Sequence, residues 1–296
     1  MRHACETAVR TLPSGSQAQI AFFGGSFTAI PREDMVRLLK AAAPYVRSGA
    51  FSGIRVSTRP DAINHEVLDI LKAYGVTTVE LGAQSMDDTV LTRCRRGHTA
   101  RQVEQAAGLI RSAGLSLGLQ MMTGLPGDTD EGALRTARKL AALKPNEVRV
   151  YPTVVIEGSP LADEYRDGSY QPQTLSEAVE LCARLLLFFE EEQGIPIIRL
   201  GLHAEDELRQ HCLAGPWHPA FRELCESRIF REKAQKIFQE CDETAVVLAV
   251  NPACVSRMVG HQRENLIAFM KDGYRVKVVA DSEIAYGDIK WRGVGT

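Results

Sequence analysis

The chain has 296 residues, 45% hydrophobic and 24% charged, with a formal net charge of −2 at pH 7. This composition fits a soluble globular chain with room for one large domain and a small one. It excludes a global positive field that would draw the whole molecule to nucleic acid or membrane, although a local basic patch stays open. The longest apolar run, Leu185–Phe189, is far too short to cross a bilayer. Seven scattered cysteines suit reduced thiols, and the first residues lack a signal-like apolar stretch, so the chain reads as cytoplasmic.

In chain order, a short polar helix at the start gives way abruptly to AQIAFFGG, a strand running into a glycine pair. Five more strand candidates follow: GIRVST, TTVELGAQ, LSLGLQMM, EVRVYPTV and PIIRLGL. Their spacing of about thirty residues is that of a βαβ unit. Their nearly continuous apolar character predicts parallel strands buried on both faces.

The helices between them are punctuated by the expected caps. Pro31 is placed in the first turn of PREDMVRLLKAAAPYV. Asn64 caps HEVLDILKAY, and Gly75 ends it. Thr99 with Gln102, and Thr174 with Glu177, form capping boxes; the helices they open are predicted to end at Gly114 and Gly194. The alternation to about residue 202 predicts a parallel α/β architecture. From His203 the chain becomes rich in turn formers. The last sixty or so residues read as strand (TAVVLAV), one helix (ACVSRMVGHQRENLIAFMK), strand (YRVKVVA) and a short final IAYGDIKW.

Ligand sites in such folds lie at the carboxyl ends of the strands. Those ends carry Gly24-Gly25-Ser26, Ser57 to Asp61, Gln84-Ser85, Gln120 before GLPGDT, Tyr151 with Thr153, and Arg199. Each has a plain structural reading: a tight turn at the glycines, a helix cap at Asp128/Thr129, neutralisation of Arg59 by Asp61. Polar residues at every strand end together point to a ligand with anionic, hydroxyl and amine groups. Acid–base tools are sparse: neither GxSxG nor HExxH occurs. His98 reads better as a loop residue than as a catalyst. His203, His211, Cys212 and His218 match no standard zinc spacing, so no metal ligands are assigned. A rim of binding groups with few acids and bases leaves the difficult chemistry to a cofactor.

FFGGSFT, STRPD, VELGAQSMDDTVL, RRGHT, MTGLPGDT and YPTVVIEGSPLA, in this order, resemble the radical S-adenosylmethionine (SAM) superfamily. The resemblance is nearest to the branch of the Elongator catalytic subunit and more distant to the anaerobic coproporphyrinogen oxidases. It spans roughly residues 15–205 and implies a partial TIM-like (β/α)6 barrel. It further implies a 4Fe-4S cluster held by CxxxCxxC after the first strand, SAM on that cluster, and a 5′-deoxyadenosyl radical. Flavodoxin or ferredoxin is the implied electron donor.

Carried over by resemblance, Gly24 and Gly25 meet the methionine amino group and Ser57 is a polar SAM contact. Arg59 on the same rim joins this set. Gln84 contacts the ribose, Arg96 pairs with the SAM carboxylate, and Gln120 takes the place of a ribose-binding aspartate. AFFGGSFT corresponds to the family's second strand, so the cysteine loop is absent from this sequence. The chain is therefore expected to be N-terminally truncated, to lack cluster ligands, and to be inactive as it stands. An uncovered strand edge is expected to make it fragile or dependent on a partner.

The tail follows the IGxxGxxI spacing of KH RNA-binding domains at Val259–Leu266, with Arg263 in place of the second glycine. An amphipathic helix on a small sheet is the competing reading. The expected organisation is a truncated radical SAM-type partial barrel over 1–202, a linker or helical segment over 203–240, and a small α+β KH-like domain over 241–296. The expected function is SAM binding, with radical modification of RNA, tRNA included, or of a small metabolite by the full-length form. A non-catalytic SAM- or RNA-binding paralogue is the alternative, and an ordinary TIM-barrel lyase is disfavoured because no barrel-end lysine is suitably placed. Substrate and oligomeric state are not specified.

Overall fold

A computed structural model describes residues 1–13, 16–202, 206–240 and 243–294. His203, raised above, and Cys241, one of the seven cysteines, lie outside the described residues. Among the described residues no helix is long and apolar enough to cross a membrane. Two compact units emerge: Met1–Thr153 with Phe188–Arg199, and Val154–Leu187 with Leu200–Thr296.

The first unit opens with helix α1 (Arg2–Thr11), then alternates strand and helix: β1 (Gln19–Phe22), α2 (Arg32–Arg47), β2 (Gly53–Thr58), α3 (His65–Ala73), β3 (Val76–Gln84), α4 (Asp88–Arg93), α5 (Ala100–Ser112), β4 (Ser116–Thr123), α6 (Asp130–Ala142) and β5 (Glu147–Pro152). In the second unit come β6 (Val155–Ile156), α7 (Pro160–Arg166) and α8 (Leu175–Leu186). Strand β7 (Ile197–Leu200) completes the sheet of the first unit. That sheet runs β1-β2-β3-β4-β5-β7, a parallel α/β sheet curled into the partial barrel expected.

All six predicted strands form, and the caps behave as read. Asn64 accepts from the Val67 amide at 2.9 Å, and both capping boxes close. Two details differ. Pro31 precedes α2 as its cap residue instead of sitting inside the first turn. The Thr174 helix does not continue regularly to Gly194; it ends at Leu186 and widens into a π-type turn, Leu187–Glu192.

The strands bury both faces, but the two faces differ chemically. Ile54, Val56, Val79, Leu81, Leu117, Leu119, Val148 and Val150 are fully buried on the apolar face, where helices such as α5 and α6 pack against the sheet. The alternate positions bring Arg55, Glu80, Glu147, Arg149, Ser57 and Gln120 together on the other face. Arg55 Nη1 donates to Glu80 Oε1 at 2.6 Å and also reaches Glu147 Oε1, while its Nη2 donates to Glu147 Oε2 at 3.2 Å. Arg149 Nη2 donates to Glu80 Oε1 at 3.0 Å. Gly118 makes room for this network: a Cβ there would lie 2.8 Å from Glu80 Cγ.

The second unit continues with α9 (Asp206–His211), β8 (Cys212–Ala214), α10 (Phe221–Gln239), β9 (Ala245–Val250), α11 (Val255–Val259), α12 (Glu264–Lys271), β10 (Arg275–Ala280) and β11 (Ile289–Val294). Strands β6 and β8 pair antiparallel. Strand β9 is central in a second sheet, parallel to β10 and antiparallel to β11. Phe230, Ala234 and Phe238 of α10 enter the same core as Val246, Leu248, Met258 and Phe269. The span read as a linker or helical segment thus supplies a core helix of this small fold.

The single helix expected over ACVSRMVGHQRENLIAFMK is two helices. Gly260 has φ 82°, and Gln262 and Arg263 follow with φ 49° and 65°, all outside the helical region. A Cβ on Gly260 would meet the Asn265 amide nitrogen at 2.9 Å, so glycine is required there for space as well as for φ. Buried Asn265 fixes the corner, with its Nδ2 directed at Ser227 O (3.0 Å) and the Arg257 and Met258 carbonyls (both 3.2 Å).

Candidate functional site

Of the predicted site residues, Gly24, Gly25, Ser57, Arg59 and Gln84 lie at or just beyond the carboxyl ends of β1 to β3, whereas Gln120 lies within β4 and Arg96 in the loop after α4. Gly24 and Gly25 follow β1 and are exposed. Gly24 has φ 98°, which favours glycine, and a Cβ at either position would meet nothing within 4 Å. The chain itself therefore leaves this turn open to a ligand. Phe23, immediately before it, is exposed and stacks on the guanidinium of Arg149, whose Cζ is 5.0 Å from the ring centroid.

Ser57 on β2 accepts from Gln120 Nε2 at 3.2 Å, and the same Nε2 donates to Glu80 Oε2 at 2.8 Å. Gln120 is thereby held with its amide nitrogen committed to the network beneath. Arg59 has a different occupation. Its Nε and Nη2 donate to the two oxygens of Asp61 at 2.8 and 2.6 Å, a bidentate pair that raises the Arg59 pKa and lowers that of Asp61. Its own charge is satisfied within the chain, and its backbone amide takes Ser26 Oγ at 2.9 Å, tying the β1 and β2 ends together.

Gln84 ends β3 with φ 65°, a left-handed conformation that costs a non-glycine residue about 1–2 kcal/mol. Its Oε1 is buried without a hydrogen-bond partner. Gly82 provides the space beside it, since a Cβ there would lie 2.8 Å from Gln84 Nε2. Strain plus an unsatisfied buried acceptor at one residue is the pattern of a group kept for something outside the chain.

Arg96, in the loop after α4, has the matching feature. Its Nε is buried and unpartnered, and burial pushes its pKa down, with the Arg59 charge nearby acting in the same direction. The loop is pinned by His98, whose Nε2 lies 3.1 Å from the Ala83 carbonyl, one residue before Gln84. His98 is a loop anchor here. Burial lowers its pKa most, and the charge of Arg96 adds to this, against the raising effect of Asp61 and of the Ala83 bond. A folded-state pKa below the free value of 6.5 means the neutral ring is the stable form. Its contribution is therefore present above pH 6.5 and lost as the pH falls through the depressed value. We expect thermal stability to drop between pH 7.5 and 5, and His98→Gln, although less stable at pH 7.5, to show a shallower drop. Parallel melting curves for the two proteins would refute this.

Two elements of the rim escaped the sequence reading. Asp128, taken as part of a cap, leaves the capping to Thr129; its Oδ1 accepts from the Thr129 amide at 2.8 Å while Oδ2 is buried and unpartnered. Burial raises its pKa. The Arg55–Glu80–Arg149 cluster was also missed, although charged residues at alternate positions of GIRVST, VELG and EVRV are a visible signal.

Among the described residues no three-thiolate set assembles, and no group of three or more His, Cys, Asp or Glu side chains could hold a metal ion. Cys5 is buried in α1 and Cys94 Sγ faces the Pro126 carbonyl at 3.9 Å. His211, Cys212 and His218 likewise form no such group; His218 packs edge-on against His261, centroids 5.5 Å apart. The cysteines described do not fit a 4Fe-4S cluster. SAM is a different case: an orphaned guanidinium N–H and an orphaned amide oxygen on adjoining loops, beside an open glycine turn, suit a ligand bearing carboxylate, ammonium and hydroxyl groups.

Sequence and structure comparisons bear on the family and the fold. The radical SAM superfamily profile matches residues 5–140 and that of the Radical_SAM C-terminal domain matches residues 145–231. The tRNA uridine(34) acetyltransferase of Methanocaldococcus jannaschii is 33% identical over 129 residues, covering 43% of this chain and 24% of that protein. Human Elongator complex protein 3 is 28% identical over 205 residues, covering 62% of this chain and 38% of its own length. The matches thus cover less than two fifths of these relatives. In fold, the structure of archaeal Elp3 from Methanocaldococcus infernus with an N-terminal deletion (1-46) aligns at a TM-score of 0.67 and 21% identity over 78% of this chain and 58% of that one. Coproporphyrinogen III oxidase (HemN) from Escherichia coli aligns at 0.50 and 19% identity over 65% of this chain and 44% of its own. With two superfamily profiles in sequence order on a parallel partial barrel, the chain belongs to the radical SAM superfamily, and its homologues are Elongator-like.

Proposed function

We propose that the first unit binds SAM at the ends of β1 to β4 and that the chain works on RNA, with tRNA as the substrate class. The observation that carries the SAM reading is Arg96, a half-buried arginine whose Nε is buried and unpartnered. A carboxylate is the complementary partner, able to take the charge-assisted bonds that burial leaves open. Gln84 Oε1 then accepts a ribose hydroxyl, and the Gly24–Gly25 turn admits the ammonium group. Ser57 and Gln120 act one layer below, holding the floor of the site in place. Arg59 serves by ordering the loops through Asp61 and Ser26 rather than by meeting the ligand.

SAM, when bound, would supply a sulfonium centre whose carbon–sulfur bonds are activated for cleavage. The residues described here bind and orient SAM, and the thiolates for a cluster are not among them. The RNA half of the reading rests on the likeness to the tRNA uridine(34) acetyltransferase named above. Isothermal titration of the purified chain with SAM, paired with iron and sulfide assay after anaerobic reconstitution, tests the whole. SAM binding with iron well below about four per chain is the expected pair of results. No SAM binding would remove the reading, and about four irons per chain would remove the account of the cysteines.

A further inference from the structure

Phe23 lies one residue beyond β1, and the binding of SAM leaves it unused. Strand alternation sets its place: Ala21 pairs with Arg55 in the parallel ladder, so Phe23 shares the polar face of the sheet with Arg55 and Ser57. Its neighbour Phe22 faces the other way and stacks on Phe27, ring centroids 4.8 Å apart, which fixes the end of the strand. Arg149 reaches Phe23 from β5, across the curl of a sheet ordered β1-β2-β3-β4-β5-β7, and its Cζ lies 5.0 Å from the ring centroid. Buried Glu80 holds that guanidinium in turn, accepting from Nη2 at 3.0 Å. Tyr151, two residues along β5 and on the same face, is half-buried and supports the same guanidinium. One face of the Phe23 ring is thus clamped by a fixed cation, yet the residue stays 52% exposed. Single exposed apolar residues are common and carry no meaning alone. A ring clamped across the concave face, beside two glycines with no Cβ to cover it, is a different case.

We propose that Phe23 is the platform on which a planar ring of the substrate stacks, the base of an RNA nucleotide on the proposed function, on which this inference rests. An aromatic face accepts any base, because every base has a π-face. Bases paired and stacked in a duplex offer no free face, so the nucleotide arrives single-stranded or flipped out. The ring is not the adenine of SAM. Phe23 precedes by one residue, about 3.8 Å along the chain, the glycine turn that admits the ammonium group. Adenine and ammonium lie at opposite ends of SAM, with the ribose between them at Gln84. A base on Phe23 therefore sits beside the methionyl half of SAM, and Arg149 and Glu80 act as positioning residues that hold the platform still.

The test is saturation-transfer NMR on the full chain in the presence of SAM, with UMP, CMP, AMP and GMP in turn as probes. Transfer to the base protons of at least one nucleotide is expected. Phe23→Ala should weaken that nucleotide by about 5- to 150-fold, the effect of losing one stacked base. Phe23→Tyr and Phe23→Trp should keep the affinity, while Phe23→Leu, apolar but without a π-face, should not. That contrast separates stacking from apolar contact and from lost folding. SAM affinity, read by calorimetry, should be the same in the parent and all four variants. Undiminished nucleotide binding by Phe23→Ala would overturn the platform. So would a matching loss of SAM affinity in Phe23→Ala, which would give the ring to adenine. Transfer to none of the four nucleotides would also overturn it; a single-stranded RNA of about 12 nucleotides that still bound would then keep the RNA reading. Phe23-dependent nucleotide binding by a chain that does not take SAM would support the platform and remove the SAM reading.

Discussion

Replacing Arg96 by methionine is expected to move SAM affinity and stability in opposite directions. A hydrogen bond to a charged group contributes about 1.5–3 kcal/mol, so SAM should bind about 10- to 150-fold more weakly. The free protein, relieved of a buried N–H with no partner, should be as stable as the parent or more stable by about 1 kcal/mol. A purely structural arginine would behave otherwise, losing stability and changing affinity only through unfolding. Gln84→Gly should show the same opposition, because glycine accepts a φ of 65° without strain while removing the orphaned Oε1. Calorimetric SAM titration and urea unfolding of the two variants read both quantities. A destabilised Arg96→Met protein with unchanged SAM affinity would remove Arg96 from the site.

The largest effect on stability is expected at Glu80. It is 1% exposed and holds Arg55, Arg149 and Gln120 at once. Glu80→Ala leaves Arg149 buried without its carboxylate, and breaking a buried pair from one side costs about 3–5 kcal/mol. Arg55 suffers less, since Glu147 and Gln19 remain bonded to it. The comparison is Glu66→Ala, whose partner Arg32 lies 3.4 Å away with both side chains well exposed; that change should cost less than about 1 kcal/mol. Replacing Glu80 and Arg149 together by methionine should recover much of the loss, because no uncompensated charge then stays buried. If Glu80→Ala costs no more than the surface variant, water reaches this face of the sheet and the network is not a structural core. SAM affinity should fall as well in Glu80→Ala, since Gln120 and through it Ser57 lose their anchor.

Much of this molecule was determined by local sequence. Helix ends follow from side chains a few residues away, as at Asn64, Thr99 and Thr174, and strand placement follows from short β-branched runs. Glycines at Gly75 and Gly114 stop helices because each takes a positive φ. Parallel topology then fixes which end of every strand carries the ligand groups, so Gly24, Ser57 and Gln84 could be placed on one rim from their strand positions alone.

Tertiary structure decided what those residues are free to do. Arg59 and Arg96 look alike in sequence, but Asp61 satisfies one and burial leaves the Nε of the other unpartnered. Gln120 is a floor residue because Glu80, forty positions away, takes its amide. The split of the predicted C-terminal helix depended on a corner held by Asn265 and Ser227, which no local propensity reports. Caps and strand propensities act over a few residues and are legible in order along the chain. Charge pairing, desolvation and orphaned polar atoms depend on which distant side chains the fold brings within about 3 Å, and that is decided only when the sheet has assembled.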